Sequence, residues 1–254
     1  MQIKKSKKYH LIIFLLVLNL IFCTLWCFAS ETDTIDEYNQ RVVLLELFVQ
    51  ANCTTCPHVE FCLEDLSWEY GAGKVILVEE HLWDDGYDIE ATNERYNWYV
   101  PGMDKGTPDL FINGSNQRIQ GLVCNDLGEN YKYYQKVIDS EAAKIAKIQL
   151  TVLKKYENSK MKISGKIKNI CALDTENLVV SGMIYLEGQE PGLAYWVKEI
   201  FSFQNVPFIP PMKSIDFEFI SELQLMDEEK DLFHAVIFIQ DVITKEVLQA
   251  VYVE

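Results

Sequence analysis

Cysteine is sparse in this chain of 254 residues, which contains seven, and two of these lie in an apolar N-terminal run at Cys23 and Cys27. The remaining five are an odd number spread over about 225 residues. A small scaffold held together by disulfides is therefore excluded, since such scaffolds are short and rich in paired cysteines. At least one thiol is left over or belongs to a reactive pair.

Positive charge is also scarce. The chain has 23 Lys and Arg against 38 Asp and Glu, and without its first 29 residues it has 19 against 38, a net charge of −19. Such a polyanion is not expected to bind nucleic acid or an anionic membrane surface. No glycine-rich phosphate-binding loop follows a predicted strand, so the sequence predicts no flavin or nicotinamide site and no other cofactor.

The N-terminus has the pattern of an export signal. Four lysines precede an almost wholly apolar run of nineteen residues from Leu11 to Ala29, and Cys27 and Ala29 suit a cleavage site after Ala29. The run is also close to the length that spans a bilayer, so residues 1–29 are interpreted as a signal peptide or a retained membrane anchor. Both alternatives place the rest of the chain outside the cytoplasm, in the periplasm, at the cell surface or secreted.

After a polar, flexible lead at residues 30–40, two segments with different patterns follow. Residues 41–147 predict the order β-α-β-α-β-β-α, with buried strands at "RVVLLELFVQ" and "KVILVEE" and a helix from Cys56 to Tyr70. Residues 148–254 contain about seven short strands separated by polar turns, a pattern typical of a β-sandwich of immunoglobulin-like type. The chain is therefore predicted to have an α/β domain at 41–147 and an all-β domain at 148–254.

The stretch "QANCTTCPHVEFC" places a C-x-x-C pair where the first buried strand ends and a helix begins. The positive end of a helix stabilises negative charge by up to roughly 2 kcal/mol, enough to lower the pKa of a thiol from about 8.5 to about 7. Cys53, at the helix start, is predicted to be the more exposed nucleophile, and Cys56, one turn inside, the resolving thiol.

These features resemble the thioredoxin superfamily: "VVLLELFVQANCTTCP", then a helix, a second strand and "GTPDLFING". With the β-rich half, the chain resembles bacterial envelope proteins in which a thioredoxin-like domain precedes an immunoglobulin-like one. The resemblance implies that Pro108 is a cis-proline against the C-x-x-C pair and that the backbone of Thr107 pairs with a substrate strand. It also suggests Glu46 as a buried proton-accepting carboxylate, although its spacing to Cys53 is one residue longer than in the family. A solvated or strand-edge Glu46 is the alternative.

Three interpretations of the cysteine pair stay open. The first is a thiol–disulfide oxidoreductase acting on protein thiols or disulfides of the envelope, with a redox partner protein. The second is a redox-silent thioredoxin-fold binding module, since a fold does not imply an activity. The third is a metal site formed by Cys53, Cys56, His58 and Cys62, which helical spacing disfavours because Cys56 and Cys62 point to nearly opposite sides.

Four further features have more limited interpretations. His58 is a candidate modulator of the Cys53 thiolate, with a neutral surface histidine as the alternative. Cys124 is a candidate partner of Cys62, and Cys171 is expected to be a free thiol that is buried or partly exposed. The segment "HLWDDGYD" is expected to be a solvated loop that could line a substrate groove.

Overall fold

The structure is a computed structural model that describes residues 40–123, 126–171, 173–188 and 193–254. The predicted export signal and the predicted lead up to residue 39 lie outside these residues. No helix among them is both long enough and apolar enough to cross a membrane.

The described residues form a mixed α/β fold with few helices and a large sheet. The helices are α1 (Cys56–Tyr70), α2 (Glu90–Tyr99) and α3 (Leu127–Ala142), with a short 3-10 helix at Lys230–Leu232. The strands are β1 (Val43–Val49), β2 (Val75–His81), β3 (Asp109–Ile112), β4 (Gln117–Gln120), β5 (Ile148–Glu157), β6 (Lys160–Asn169), β7 (Leu178–Leu186), β8 (Trp196–Ile200), β9 (Gln204–Asn205), β10 (Ser214–Ile220), β11 (Phe233–Asp241) and β12 (Val247–Val253). The predicted order β-α-β-α-β-β-α is thus present between β1 and α3.

The strands belong to two sheets. One sheet runs β12-β11-β7-β8-β2-β1-β3-β4, with β9 added beside β7, and the other runs β10-β6-β5. In the large sheet β1 is parallel to β2 and antiparallel to β3. The strands from the two halves of the chain meet where Glu79 of β2 pairs with Trp196 of β8, supported by a hydrogen bond from Glu79 N–H to Tyr195 C=O (2.8 Å). The described residues thus belong to one compact unit in which a separate immunoglobulin-like domain is not shown. The division at residue 147 stays a prediction.

The strands β1 and β2 are fully buried because both faces of this part of the sheet are covered. On one face, Leu45, Leu47 and Val49 pack against α1 and α3. On the other face, Leu44 and its neighbours on β2 pack against β7, β11 and β12. Burying each such side chain contributes about 1.5–3 kcal/mol, so continuous apolar runs are what two-sided burial requires.

The strands β7 and β11 form a middle layer with apolar side chains on both faces. Val236 and Phe238 of β11 point toward β1 and β2, whereas Ile237 and Ile239 point toward the sheet of β5, β6 and β10. Successive side chains of a strand point to opposite faces, so one strand serves two cores. The order of layers is therefore α1 and α3, the β1–β2 part of the large sheet, the middle layer, and the sheet of β5, β6 and β10. The helix α2 lies on the face of β1 opposite α1, where its Arg95 donates to Glu46.

A close backbone contact holds the β11–β12 turn, at one end of the middle layer, against the β3–β4 turn. Asn113 and Gly114, where the sequence predicts a turn, both have positive φ (52° and 67°), as type I′ turns require. A Cβ on Gly114 would lie 2.0 Å from the carbonyl oxygen of Lys245 in the β11–β12 turn. Only glycine allows this approach, which the hydrogen bond from Ser115 N–H to Lys245 C=O (3.1 Å) completes.

Candidate functional site

The cysteine pair lies at the junction that the sequence predicts. After β1 ends, the backbone N–H of Cys53 donates to Gln50 C=O (2.9 Å), and this turn leads into α1. Cys53 and Cys56 are joined in a disulfide, with their Cα atoms 5.4 Å apart. Cys53 is partly exposed, whereas Cys56 is 1% exposed. The exposed sulfur is thus the one that another protein can reach.

The sulfur of Cys53 takes the place of a helix cap. The side chain of Thr55, at the N-cap position, makes no capping hydrogen bond, and the backbone N–H of Cys56 donates to Cys53 Sγ (3.1 Å). The hydroxyl of Thr55 lies 3.7 Å from the same sulfur. Because the first turn contains no acidic residue, its positive potential is not neutralised locally. The start of α1 thus places a backbone N–H and a hydroxyl group beside the sulfur of Cys53.

The Thr107–Pro108 peptide bond is cis. Pro108 directly precedes β3, in which Asp109 pairs with Phe48 near the end of β1, so Pro108 lies at the end of the sheet from which the chain leads to Cys53. Its carbonyl oxygen accepts a hydrogen bond from Gly121 N–H (2.8 Å). Within the described ranges, no hydrogen bond reaches the backbone of Thr107.

Glu46 is not close to the cysteines in this arrangement. It is fully buried, but it points to the face of β1 opposite α1, as period-two alternation requires when Leu45 and Leu47 face Cys56. Its carboxylate accepts hydrogen bonds from Arg95 Nε and from Tyr99 Oη, the latter at 2.8 Å. Glu46 is thus neither solvated nor a neighbour of the disulfide, and the one-residue difference in spacing explains why.

The other sequence-predicted residues are placed as follows. His58 is exposed on α1, two residues after Cys56, and its backbone N–H donates to Thr55 C=O (3.2 Å). Cys62 is buried in the core under α1, and its sulfur donates to Leu127 C=O (3.7 Å). Its candidate partner Cys124 lies outside the described residues. Cys171 is a free thiol, as predicted, but it is exposed instead of buried or partly exposed. In the described ranges, no group of three or more His, Cys, Asp or Glu side chains is arranged to hold a metal ion.

The "HLWDDGYD" segment is a loop with several exposed residues, as predicted, and it also borders the turn before Cys53. The carboxylate of Asp85 is buried and accepts hydrogen bonds from Ala51 N–H (2.9 Å) and Tyr87 N–H (2.9 Å), with His81 Nδ1 2.7 Å away. These hydrogen bonds lower the pKa of Asp85, against the opposing effect of its burial. The segment thereby holds the turn that presents Cys53.

Two buried glutamates near α1 were not predicted from the sequence. Glu79 alternates with Val75 and Leu77 on β2 and so faces α1, and Leu47 is its neighbour on β1. Glu60 follows Cys56 by four residues on the same helix and is also buried. Burial raises the pKa of Glu79 to about 8 and, with the charge of Glu64, raises the pKa of Glu60 to about 7. The acidic pair in "KVILVEEH" could have indicated buried carboxyl groups. A strand that is covered on both faces has no solvated side, so both acids of the pair must be buried.

The substitution Glu79→Gln is expected to flatten the pH dependence of stability. The folded protein binds protons at Glu79 up to about pH 8, whereas the unfolded chain releases them near 4.5, so stability falls as pH rises from about 5 to 8. Glutamine keeps the acceptor for Tyr195 N–H (3.1 Å) and carries no charge. Urea unfolding at pH 5 and pH 8 should show that the free energy of unfolding falls less in the variant than in the wild type, by about 1.4 kcal/mol for each unit of pKa shift removed. The exposed Glu94→Gln is the control, and an unchanged fall in Glu79→Gln would contradict the expectation.

Comparison with known proteins gives similarity at the level of the fold. No protein-family model matches the sequence, and no curated protein is significantly similar to it. HBP35 of Porphyromonas gingivalis matches the structure with a TM-score of 0.61 and 11% identity, over 84% of this chain and 74% of that one. At this identity the similarity shows a shared fold and nothing about activity.

Two further matches cover less than half of this chain. A domain of the outer membrane lipoprotein Omp28 from Porphyromonas gingivalis has a TM-score of 0.33 and 19% identity, over 44% of this chain and 89% of that one. The germline-specific thioredoxin Deadhead from Drosophila melanogaster has a TM-score of 0.27 and 18% identity, over 38% and 82%. These two scores are too low to support an argument. The chain is a mixed α/β protein with a C-x-x-C disulfide, and a thioredoxin is among its structural neighbours.

Proposed function

We propose that the protein is an exported thiol–disulfide oxidoreductase that exchanges electrons with envelope proteins through Cys53 and Cys56. The observation that carries the proposal is the disulfide itself, with an exposed sulfur at a helix start and a buried sulfur one turn inside. A disulfide that only staples the fold has no need of this asymmetry. Exchange chemistry needs it, because one sulfur must meet the substrate and the other must not.

The reaction follows from the two positions. In the reduced protein the Cys53 thiolate attacks a substrate disulfide, forming a mixed disulfide and releasing one substrate thiolate. Cys56, deprotonated, then attacks Cys53 Sγ, closes the disulfide and releases the second substrate thiol. Two electrons pass to the substrate, and the reverse sequence oxidises a substrate dithiol. The cysteines alone carry these electrons, so the proposal includes no cofactor and no metal.

Substrate positioning is assigned to the segment beside the disulfide. A substrate strand would pair with the backbone of Thr107, with Pro108 holding this segment at the end of β3 near the cysteines. His58 is proposed as a modulator, because a protonated imidazole near the start of α1 would add to the potential that favours the Cys53 thiolate.

The finer architecture is part of the proposal: a thioredoxin-like domain at residues 41–147 followed by an immunoglobulin-like β-sandwich at 148–254. What supports the second domain is the packing of β5, β6 and β10 against β7, β11 and β12 around one apolar core. An extracytoplasmic location rests on the export pattern of residues 1–29. The partners would be thiol or disulfide proteins of that compartment and a redox partner protein, and nucleic acid is not among them.

The reduction potential of the Cys53–Cys56 pair tests the proposal. We expect a value between about −270 mV, typical of a protein reductant, and about −120 mV, typical of an oxidant. The measurement is equilibration with glutathione or dithiothreitol buffers, followed by alkylation of thiols and mass detection. Cys171→Ser is the background variant, since its exposed thiol would react with the same reagents. A pair that stays oxidised below about −300 mV would behave as a structural disulfide and favour the redox-silent binding module.

A further inference from the structure

A cavity of about 280 Å³ opens at the opposite end of α1 from the disulfide. It lies between the C-terminal end of α1, the start of β2 and the ends of β7, β11 and β12. The side chains that give it its chemistry are here called the aromatic pocket: Trp68, Tyr185, Glu187, Tyr195, His234 and Tyr252. With 15 residues, α1 separates this cavity from Cys53 by about 20 Å, so the two sites are distinct.

A chain of hydrogen bonds crosses the pocket wall. The hydroxyl of Tyr252 lies 2.6 Å from His234 Nδ1, and His234 Nε2 lies 2.9 Å from Glu187 Oε2. Burial lowers the pKa of His234, against the opposing effect of Glu187. A neutral His234 in this chain accepts from Tyr252 at Nδ1 and donates from Nε2 to Glu187. The chain thus holds the carboxyl group of Glu187, which is half-exposed, in place where it lines the cavity.

Negative charge dominates around the pocket. Burial raises the pKa values of Tyr195 and Tyr252, and Glu187 raises both further, with Glu64 acting on Tyr195 and Glu254 on Tyr252. The last turn of α1, which lines the cavity through Ser67 and Gly71, has no basic residue to offset the negative end of the helix dipole. Lys154, near His234, is a cation that acts in the opposite direction.

The aromatic rings supply the second element of recognition. Tyr185 forms an edge contact with Tyr195 (centroids 6.3 Å apart) and a tilted contact with His234 (5.9 Å), and His234 is tilted against Tyr252 (5.7 Å). The ring faces carry partial negative charge, which attracts cations, most strongly where water is excluded. A wall of rings with a fixed carboxylate beside it therefore favours a ligand that is both apolar and positive. An anion would be repelled, and a neutral ligand would lack the charge–charge attraction to Glu187.

We propose that the aromatic pocket binds an organic ammonium cation, seated among Tyr185, Tyr195 and Tyr252 with its charge toward Glu187. The same chemistry is offered by a small quaternary ammonium compound and by the end of a lysine side chain, and the cavity volume accommodates either one. This binding function is separate from the chemistry of the disulfide and does not depend on it.

The test compares choline with its neutral isostere 3,3-dimethylbutan-1-ol, which has the same shape and lacks the charge. Binding to the full chain is measured by isothermal titration calorimetry and by the fluorescence of Trp68, which is 83% exposed at the rim. We expect choline to bind at least about tenfold more tightly than the isostere. A second arm uses the peptide acetyl-Gly-Lys-Gly-amide, so that binding of the peptide alone identifies a lysine side chain as the ligand.

Variants distinguish recognition of the ligand's positive charge from nonspecific hydrophobic binding. The isosteric Glu187→Gln should weaken choline binding by about tenfold, and Tyr195→Leu by a similar factor, because each removes one source of attraction for the cation. The exposed Glu176→Gln, outside the pocket, should leave the affinity unchanged, and circular dichroism confirms that each variant is folded. Equal binding of choline and its isostere, no binding of either choline or the peptide, or an unchanged affinity in Glu187→Gln would overturn the proposal.

Discussion

The variant Cys56→Ser is expected to accumulate a covalent complex with its substrates. Cys53 can still attack a disulfide, but no second thiol follows it to release the substrate, so the mixed disulfide persists. The variant Cys53→Ser should form no such complex, because the remaining sulfur of Cys56 is 1% exposed. In insulin reduction both variants should lose turnover by at least about two orders of magnitude, since a hydroxyl supplies no thiolate.

The measurement is non-reducing electrophoresis with mass spectrometry after incubation with a peptide disulfide. Cys171→Ser, which removes an exposed thiol away from the pair, is the matched control and should keep full turnover. Equal trapping by Cys53→Ser and Cys56→Ser would contradict the assignment of roles. Full insulin reduction by either variant would remove the proposed mechanism altogether.

The variant Arg95→Met is expected to destabilise the protein by about 3–5 kcal/mol, the range for removing one partner of a buried ion pair. Arg95 of α2 is buried, and its guanidinium donates to Glu46 and to Tyr99 Oη (2.9 Å), with Glu80 3.9 Å away. It also donates to Gln240 of β11 (3.3 Å), so the two halves of the chain share the network. Without the guanidinium, the buried side chains of Glu46 and Glu80 lose the cation that lies beside them.

The loss of stability caused by Arg95→Met should increase as the pH rises. Burial already raises the pKa of Glu80 in the wild-type protein, with Glu46 adding to this effect and Arg95 opposing it. Removing Arg95 raises the folded-state pKa further, so the variant keeps stability only where its carboxylates are protonated and loses it as pH rises. Urea denaturation at pH 5 and pH 8 measures the difference.

A surface ion pair gives the matched control for Arg95. Lys166 bonds Asp216 at 2.6 Å, but both side chains are more than half exposed, so Lys166→Met should cost less than about 1 kcal/mol. If Arg95→Met lowered the free energy of unfolding as little as this control, the buried network would contribute no more than an exposed pair, contrary to the expectation. Adding Glu46→Gln to Arg95→Met should recover part of the loss, because one uncompensated charge is then removed.

The local elements were predictable because their signals are local. The helix α1 begins and ends at the residues that apolar spacing indicates, Cys56 and Tyr70, and the turn at Asn113 follows from its residue types. The placement of the C-x-x-C pair at a strand end follows from the same patterns. The seven strands predicted after Lys147 all contain strand residues in the structure, since alternation and turn residues mark them.

Long-range features left no such signal. The pairing of β2 with β8 joins Glu79 to Trp196, and nothing in the neighbourhood of either residue indicates the other. The direction of Glu46 depended on counting one residue along β1, which decides the face of the sheet. Glu187, His234 and Tyr252 come from the ends of three strands that only the folded sheet brings together, so the aromatic pocket could not be found from spacing.

The middle layer affects how the protein unfolds. Because β11 contributes Val236 and Phe238 to one core and Ile237 and Ile239 to the other, neither core can open without uncovering a face of the same strand. A fragment cut at residue 147 would leave Leu44 and the apolar face around it in water. We therefore expect the two cores of the described residues to melt together. The segment that carries the disulfide is supported by strands that come after it in the sequence.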